Sequence, residues 1–256
     1  MALTMAERPS RMPLHWRYAT RQVLWAVVDA VFPARCGGCG REGQRFCAGC
    51  LAAIVCLPKP VCERCGYPLP THAEQLCAAC RQTPSSALAG MRSVAFFEGP
   101  LRQALHSLKY KRDIILADTL ARLLYDAWRI YELPGDLVLP IPLSPERLRE
   151  RGYNQAGLLA RGLAELAGLR CAAHGAVRIR HTVSQVGLSA IERRENMAGA
   201  FKGEPGSVAG RSVILVDDVC TTGSTLAACA EALLAAGAVS VWGFTLARAR
   251  LASSAA

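Results

Sequence analysis

Two groups of residues in this chain have the types and spacing to do chemistry. The first is the run Val213-Ile-Leu-Val-Asp217-Asp218-Val-Cys-Thr221-Thr222-Gly223-Ser224-Thr225, where an apolar strand over Val213–Val216 leads into two carboxylates and then into a hydroxyl-rich turn that opens a helix. At the carboxyl edge of a parallel sheet such a turn is where ligands sit. Its N–H groups and the helix dipole favour a phosphate, Gly223 permits close backbone approach, and the hydroxyls of Thr221, Thr222, Ser224 and Thr225 add donors. Two carboxylates beside that cradle would repel a phosphate, so Asp217 and Asp218 need hydroxyl or metal partners. A sugar phosphate meets both demands, with ring hydroxyls on the aspartates and the phosphate in the turn. No Walker lysine accompanies the turn, which disfavours ordinary nucleoside-triphosphate hydrolysis. Without a ligand, the same residues read as a buried strand and an N-capped helix.

The second group is the cysteines. Eight of the twelve fall in four CxxC pairs, Cys36/Cys39, Cys47/Cys50, Cys62/Cys65 and Cys77/Cys80. In a chain expected to reside in the reducing cytoplasm, such pairing reads as metal binding rather than disulfides. Two closed tetrathiolate Zn²⁺ sites follow, structural because they leave no open coordination position. Which pair shares a metal with which is not fixed by the spacing; adjacent pairs are the simplest arrangement. Gly40 and Gly66 each follow the second cysteine of a leading pair, where a residue without a side chain lets the backbone fold around a sulfur. His72 and the lone Cys56 are spare candidates, read as bystanders. Cys171, Cys220 and Cys229 read as small buried apolar residues.

Around these groups the chain divides into an irregular tail (1–22), a short helix with the cysteine module (23–82) and an alternating strand–helix region (90–250). The boundary is set at the Pro/Ser/Thr-rich stretch Gln82–Ala89. Val23–Phe32 has helical periodicity and stops before Pro33. The last region predicts an α/β fold: a parallel sheet covered by helices on both faces. No apolar run approaches the roughly 18 residues of a membrane span, and no secretory signal is evident. Lys plus Arg exceed Asp plus Glu by 30 − 20 = +10, and two tetrathiolate zinc sites would lower that to about +6. A basic protein favours a polyanionic partner. The arginines gather in two knots, Arg147/Arg149/Arg151 and Arg178/Arg180/Arg193/Arg194; such runs are often solvated faces, but both knots lie in segments expected near an anion site.

The segment at 213–225 resembles the phosphoribosyl-pyrophosphate (PRPP) loop of type I phosphoribosyltransferases, and with the cysteine module the chain resembles the ComF family over about residues 30–250. Leu105-His-Ser-Leu-Lys-Tyr-Lys111, Pro140–Gln155, His181–Gln185 and Arg193–Asn196 carry the resemblance further. It implies a double zinc ribbon followed by a type I phosphoribosyltransferase-like domain, with Asp217 and Asp218 on the sugar and Pro140–Ser144 facing the pyrophosphate. Lys109, Arg147, Arg149 and Arg151 would neutralise that group. Gln185, Arg193 and Asn196 would lie on a loop that closes over the site. Mg²⁺ is implied only with bound PRPP. The family also implies a role in DNA uptake, through single-stranded DNA or a helicase or other DNA-processing partner. The alternative is an active phosphoribosyltransferase on an unknown acceptor, for which no base-reading segment stands out.

Overall fold

Strands that are apolar on both faces need cover on both sides. The computed structural model, which describes residues 14–31, 33–83, 86–180, 196–197 and 199–250, meets that need with a five-stranded parallel sheet. Numbering elements in chain order, its strands are β1 (Gly90–Phe96), β2 (Leu137–Pro140), β3 (Arg170–Cys171), β6 (Ser212–Cys220) and β7 (Ser240–Arg248), in spatial order β1-β7-β6-β2-β3. A separate antiparallel pair joins β4 (Ala176–Arg178) to β5 (Phe201–Gly203). The α/β class and the parallel sheet expected from the sequence are what the structure contains.

Alternation along the central strands builds two cores. Val213 and Leu215 point into one, with Leu226, Cys229, Ala230 and Leu233 of the helix Ser224–Ala235 (α9). Ile214 and Val216 point into the other. That second core is completed by Gly99–Tyr110 (α4), Leu116–Tyr131 (α5) and Gln155–Ala167 (α7). Two shorter helices, Pro145–Arg151 (α6) and Pro205–Val208 (α8), fill connections.

The structure departs from the sequence reading in three places that matter. First, helix α1 spans Leu14–Val31, so residues 14–22, expected as part of a tail, are helical. The reason lies in tertiary contacts invisible to periodicity. Arg21, Gln22 and Trp25 all donate to the Asp118 carboxylate of α5 at 2.8–3.2 Å, and Arg21 also pairs with Glu165 of α7 at 2.8 Å.

Second, β6 does not stop at Val216. It continues to Cys220, in register with β7 through Asp217↔Thr245, Val219↔Ala247 and Cys220↔Arg248. The two aspartates therefore lie within a paired strand rather than after it.

Third, the cysteine region is packed onto the sheet. The segment Val55–Leu57, between the two CxxC quartets, lies antiparallel to edge strand β1: Phe96 N donates to Val55 O at 2.9 Å, and Leu57 N to Val94 O at 3.3 Å. An open sheet edge is thereby covered. Short helices Ala48–Ala52 (α2) and Ala78–Gln82 (α3) carry the last cysteine of each quartet. Phe46, Cys36 and Cys50 join the core beside Leu101, Ala104 and Leu116, so the first quartet is seated on α4 and α5.

Candidate functional site

The site is assembled where β6 leaves the sheet and turns into α9. Neighbouring residues of a strand face opposite sides of the sheet, and this separates the two carboxylates. Asp218 points to the α4/α7 side and is 3% exposed. Lys109 of α4 forms an ion pair with it, and Gln155 Nε2 of α7 donates to its Oδ1 at 3.4 Å. Asp217 is half-buried, and its Oδ1 accepts from the Asp218 N–H at 2.8 Å.

The electrostatics differ accordingly. Burial, and then the charge of Asp218, push the Asp217 carboxyl up, with Lys109 only partly opposing them. Burial would raise Asp218 too, but the Lys109 ammonium more than offsets it, and the Asp218 carboxyl is held below the usual carboxylate range. Of the residues expected on a sugar phosphate, Asp218 and Lys109 are paired with each other in this ligand-free chain, and Asp218 also accepts from Gln155.

Beyond Cys220 the turn has the features a phosphate needs. Gly223 caps α9 with φ +84°, a left-handed conformation that favours glycine. Thr222 and Ser224 hydroxyls lie 3.0 Å apart, and Ser224 N donates to Thr222 Oγ1 at 3.4 Å. Among the described residues, the N–H groups of Thr221, Thr222 and Gly223 have no hydrogen-bond acceptor within the chain. Thr225 sits in the first turn of the helix.

The cations named from the sequence are distributed unevenly. Arg151 Nη1 donates to Gln155 Oε1 at 3.0 Å, and its guanidinium lies over the Tyr110 ring at 5.2 Å. It thereby belongs to the network Arg151–Gln155–Asp218–Lys109. Arg147 and Arg149 lie exposed on α6, whose N-cap Ser144 accepts from Arg147 N at 3.4 Å; Arg149 reaches Glu146 at 3.8 Å. Arg178 on β4, from the second knot, lies within electrostatic reach of Asp217. Burial and the neighbouring Arg147 charge lower it, while Glu146 and Asp217 oppose them. Arg180 Nη2 donates to Asn196 O at 2.8 Å. Gln185, Arg193 and Arg194 lie outside the described residues.

The cysteines form two tetrads, Cys36/Cys39/Cys47/Cys50 and Cys62/Cys65/Cys77/Cys80, with ligand atoms within 4.8 Å of one another in each. This places adjacent pairs together. Cys56 and His72 stand outside both tetrads. A tetrahedron with metal–sulfur bonds of about 2.3 Å has edges of about 3.8 Å. The Cys39–Cys47 and Cys65–Cys77 sulfurs are each 3.7 Å apart, so the donor set fits Zn²⁺. The knuckles close as expected: Gly40 N donates to Cys36 O at 2.7 Å and Gly66 N to Cys62 O at 2.8 Å, with both glycines at positive φ. Cys47 N donates to Cys36 Sγ at 3.3 Å, the kind of contact that orients a thiolate ligand. Zinc here would hold the fold rather than perform chemistry, since all four positions of each site are filled by protein.

Comparisons with known proteins define the class. Residues 27–81 match the double zinc ribbon domain family, and residues 150–252 match the phosphoribosyl transferase domain family. The chain belongs to the ComF family. It is 38% identical to the DNA utilization protein YhgH of Escherichia coli K12, covering 72% of this chain and 83% of that one. It is 36% identical to competence protein F of Haemophilus influenzae, covering 77% and 89%. Identity to competence protein ComFC of Bacillus subtilis is 30%, covering 81% and 86%. Among solved structures, an allosteric regulatory enzyme of purine biosynthesis aligns with a TM-score of 0.36 and 23% identity, over 51% of this chain and 26% of that one. No described helix is long and apolar enough to cross a membrane.

The asymmetry of the aspartates has a measurable consequence. A carboxyl with a raised folded pKa favours the fold fully at low pH, below the ordinary carboxylate value of about 4, and that contribution is lost as pH rises through its raised value. Asp217→Asn cannot lose a proton, so melting curves from pH 5 to pH 9 should show the variant gaining on the parent as pH increases. A difference independent of pH would show that Asp217 titrates normally.

Proposed function

We propose that this chain binds a phosphorylated pentose, with PRPP the best fit, at the carboxyl end of β6, and that it serves the uptake or use of DNA in the cytoplasm. The observation that carries the ligand reading is the juxtaposition at 217–223: a half-buried Asp217 lies four residues before Thr221, and among the described residues the N–H groups of Thr221, Thr222 and Gly223 meet no acceptor. Asp217 takes a ring hydroxyl, while Asp218 and Lys109 form the buried pair that stiffens the strand end beneath it. The phosphate sits on the N–H groups of Thr221–Gly223 with the hydroxyls of Thr222 and Ser224 beside it. Arg178 of β4, within electrostatic reach of Asp217 and with Arg147 of α6 beside it, supplies positive charge there. Mg²⁺ brought with such a ligand would offset part of its phosphate charge.

The DNA part of the reading is supported by the names of relatives, which are competence and DNA utilization proteins, and by the net charge of +10. Arg147 and Arg149 are exposed on α6, which begins five residues after β2 ends, and suit contact with a phosphodiester backbone. Single-stranded DNA is the partner favoured by this pattern, with a helicase or other DNA-processing protein recruited alongside it.

Calorimetric titration of the full chain with PRPP and Mg²⁺ tests the ligand. Saturable binding is expected; at pH 9, above the raised Asp217 value of about 8, Asp217→Asn should weaken it about tenfold or more, the usual loss for a hydrogen bond to a charged group. The absence of both a heat of binding and a change in melting temperature would refute the reading.

Oligonucleotide titration at rising salt tests the DNA surface. Replacing Arg147 and Arg149 together by Ala should flatten the log–log salt dependence by about 1.4, two phosphate contacts at about 0.7 each. An unchanged slope would place the nucleic acid elsewhere.

A further inference from the structure

Arg248, the last residue of β7, is 3% exposed, and no carboxylate pairs with it among the described residues. A buried guanidinium without a countercharge is costly, so its surroundings are informative. On one side, its Nη1 donates to the carbonyl oxygen of Cys65, a member of the second tetrad, at 2.6 Å, and the guanidinium lies over the Tyr67 ring at 5.5 Å. On the other side, the same nitrogen stands 3.7 Å from Cys220 Sγ and 4.0 Å from Met91 Sδ. Cys220 immediately precedes the Thr221–Thr225 turn, and its sulfur is 3.5 Å from that of Met91.

Met91 makes a second connection between the same two places. Its N–H donates to the carbonyl of Arg64, inside the Cys62–Cys65 knuckle, at 2.9 Å. Gly66 of that knuckle presses so closely on the Met91 carbonyl oxygen that a Cβ there would collide with it. The Met91 side chain then runs beneath the turn: a Cβ on Gly223 would lie 3.3 Å from Met91 Cε and 3.9 Å from Cys220 Sγ. The floor of the turn is therefore Met91, Cys220 and Arg248, and the knuckle grips that floor through two separate hydrogen bonds. Four thiolates around Zn²⁺ carry a formal charge of 2 − 4 = −2, which supplies the countercharge that Arg248 otherwise lacks.

We infer that Arg248 is a positioning residue that ties the second zinc knuckle to the floor of the Thr221–Thr225 turn, so that zinc at Cys62, Cys65, Cys77 and Cys80 and a sugar phosphate in the turn strengthen each other's binding. The ligand half rests on the sugar-phosphate reading above. The zinc half stands on the contacts of Arg248 and Met91 alone. Linkage requires the same factor on both sides: if zinc tightens the turn for its ligand, the ligand must tighten the site for zinc.

The test follows zinc release from the fully loaded chain into a chromogenic chelator, with and without PRPP and Mg²⁺, for the parent, Arg248→Met and Arg248→Lys. Two phases are expected, one for each tetrad. In the parent, PRPP should slow one phase about tenfold, within the usual range for coupled sites. In Arg248→Met that phase should be faster even without ligand, PRPP should no longer slow it, and the other phase should be unchanged. Arg248→Lys keeps the charge but loses the fork, so it should fall between the two and serve if the Met variant does not fold. Parent-like release in both variants would overturn the inference, as would equal protection by PRPP in all three chains. If the parent takes up no PRPP, the sugar-phosphate reading and the linkage fall together. A faster ligand-free phase in Arg248→Met would then still establish the fastening, and an unchanged one would refute it as well.

Discussion

A β-strand can send only every second side chain to the same side, and the site depends on that constraint. Because β6 keeps its pairing with β7 as far as Cys220, the adjacent Asp217 and Asp218 cannot share one role. Asp218 is carried to the helical face, where Lys109 and Gln155 were already positioned by α4 and α7. A buried carboxylate is tolerable only with such partners. Asp217 is left on the other side with a raised proton affinity and Arg178 of β4 in its electrostatic reach. In the proposed reading one carboxylate stiffens the strand end and its neighbour takes the ligand.

The zinc ribbons serve the same end from the β1 edge of the sheet. Some fifty residues of cysteine-rich chain bury little apolar surface by themselves, so metal–thiolate bonds must hold them. Their first quartet packs on α4 and α5, next to the helix that presents Lys109. The stretch between the quartets covers the edge strand β1. The second quartet reaches under the turn through Arg64, Cys65 and Gly66. The metal module and the sheet are therefore one packed unit, and the Pro/Ser/Thr-rich stretch around 82–89 joins parts that touch extensively rather than separating them.

Much of this was legible in the residues because local chemistry dictated it. CxxC spacing and trailing glycines specify tetrathiolate knuckles, and an apolar strand followed by Thr-Thr-Gly-Ser specifies a turn that opens a helix. What stayed hidden was set by tertiary partners. Nothing in the periodicity of Leu14–Gln22 announces that Asp118, about a hundred residues away, will hold that helix in place. The extension of β6 beyond Val216 depends on Thr245–Arg248 of β7 pairing with it, and so the fates of the two aspartates could not be separated from the sequence. Lys109 reads as a phosphate ligand because a lysine near an anion site ordinarily is one; its pairing with Asp218 depends on the placement of α4, which the sequence does not show. Arg178 and Arg248 carried no motif at all. Their significance comes from where short or terminal strand segments deliver them.

The backbone amides of Thr221–Thr225 offer the most direct test. Hydrogen exchange measured residue by residue, with and without PRPP and Mg²⁺, should show these amides slowing on ligand addition while the outer faces of α5 and α7 exchange as before. Binding that leaves the turn exchanging at its original rate, or that protects a different surface, would contradict a phosphate cradle at the end of β6.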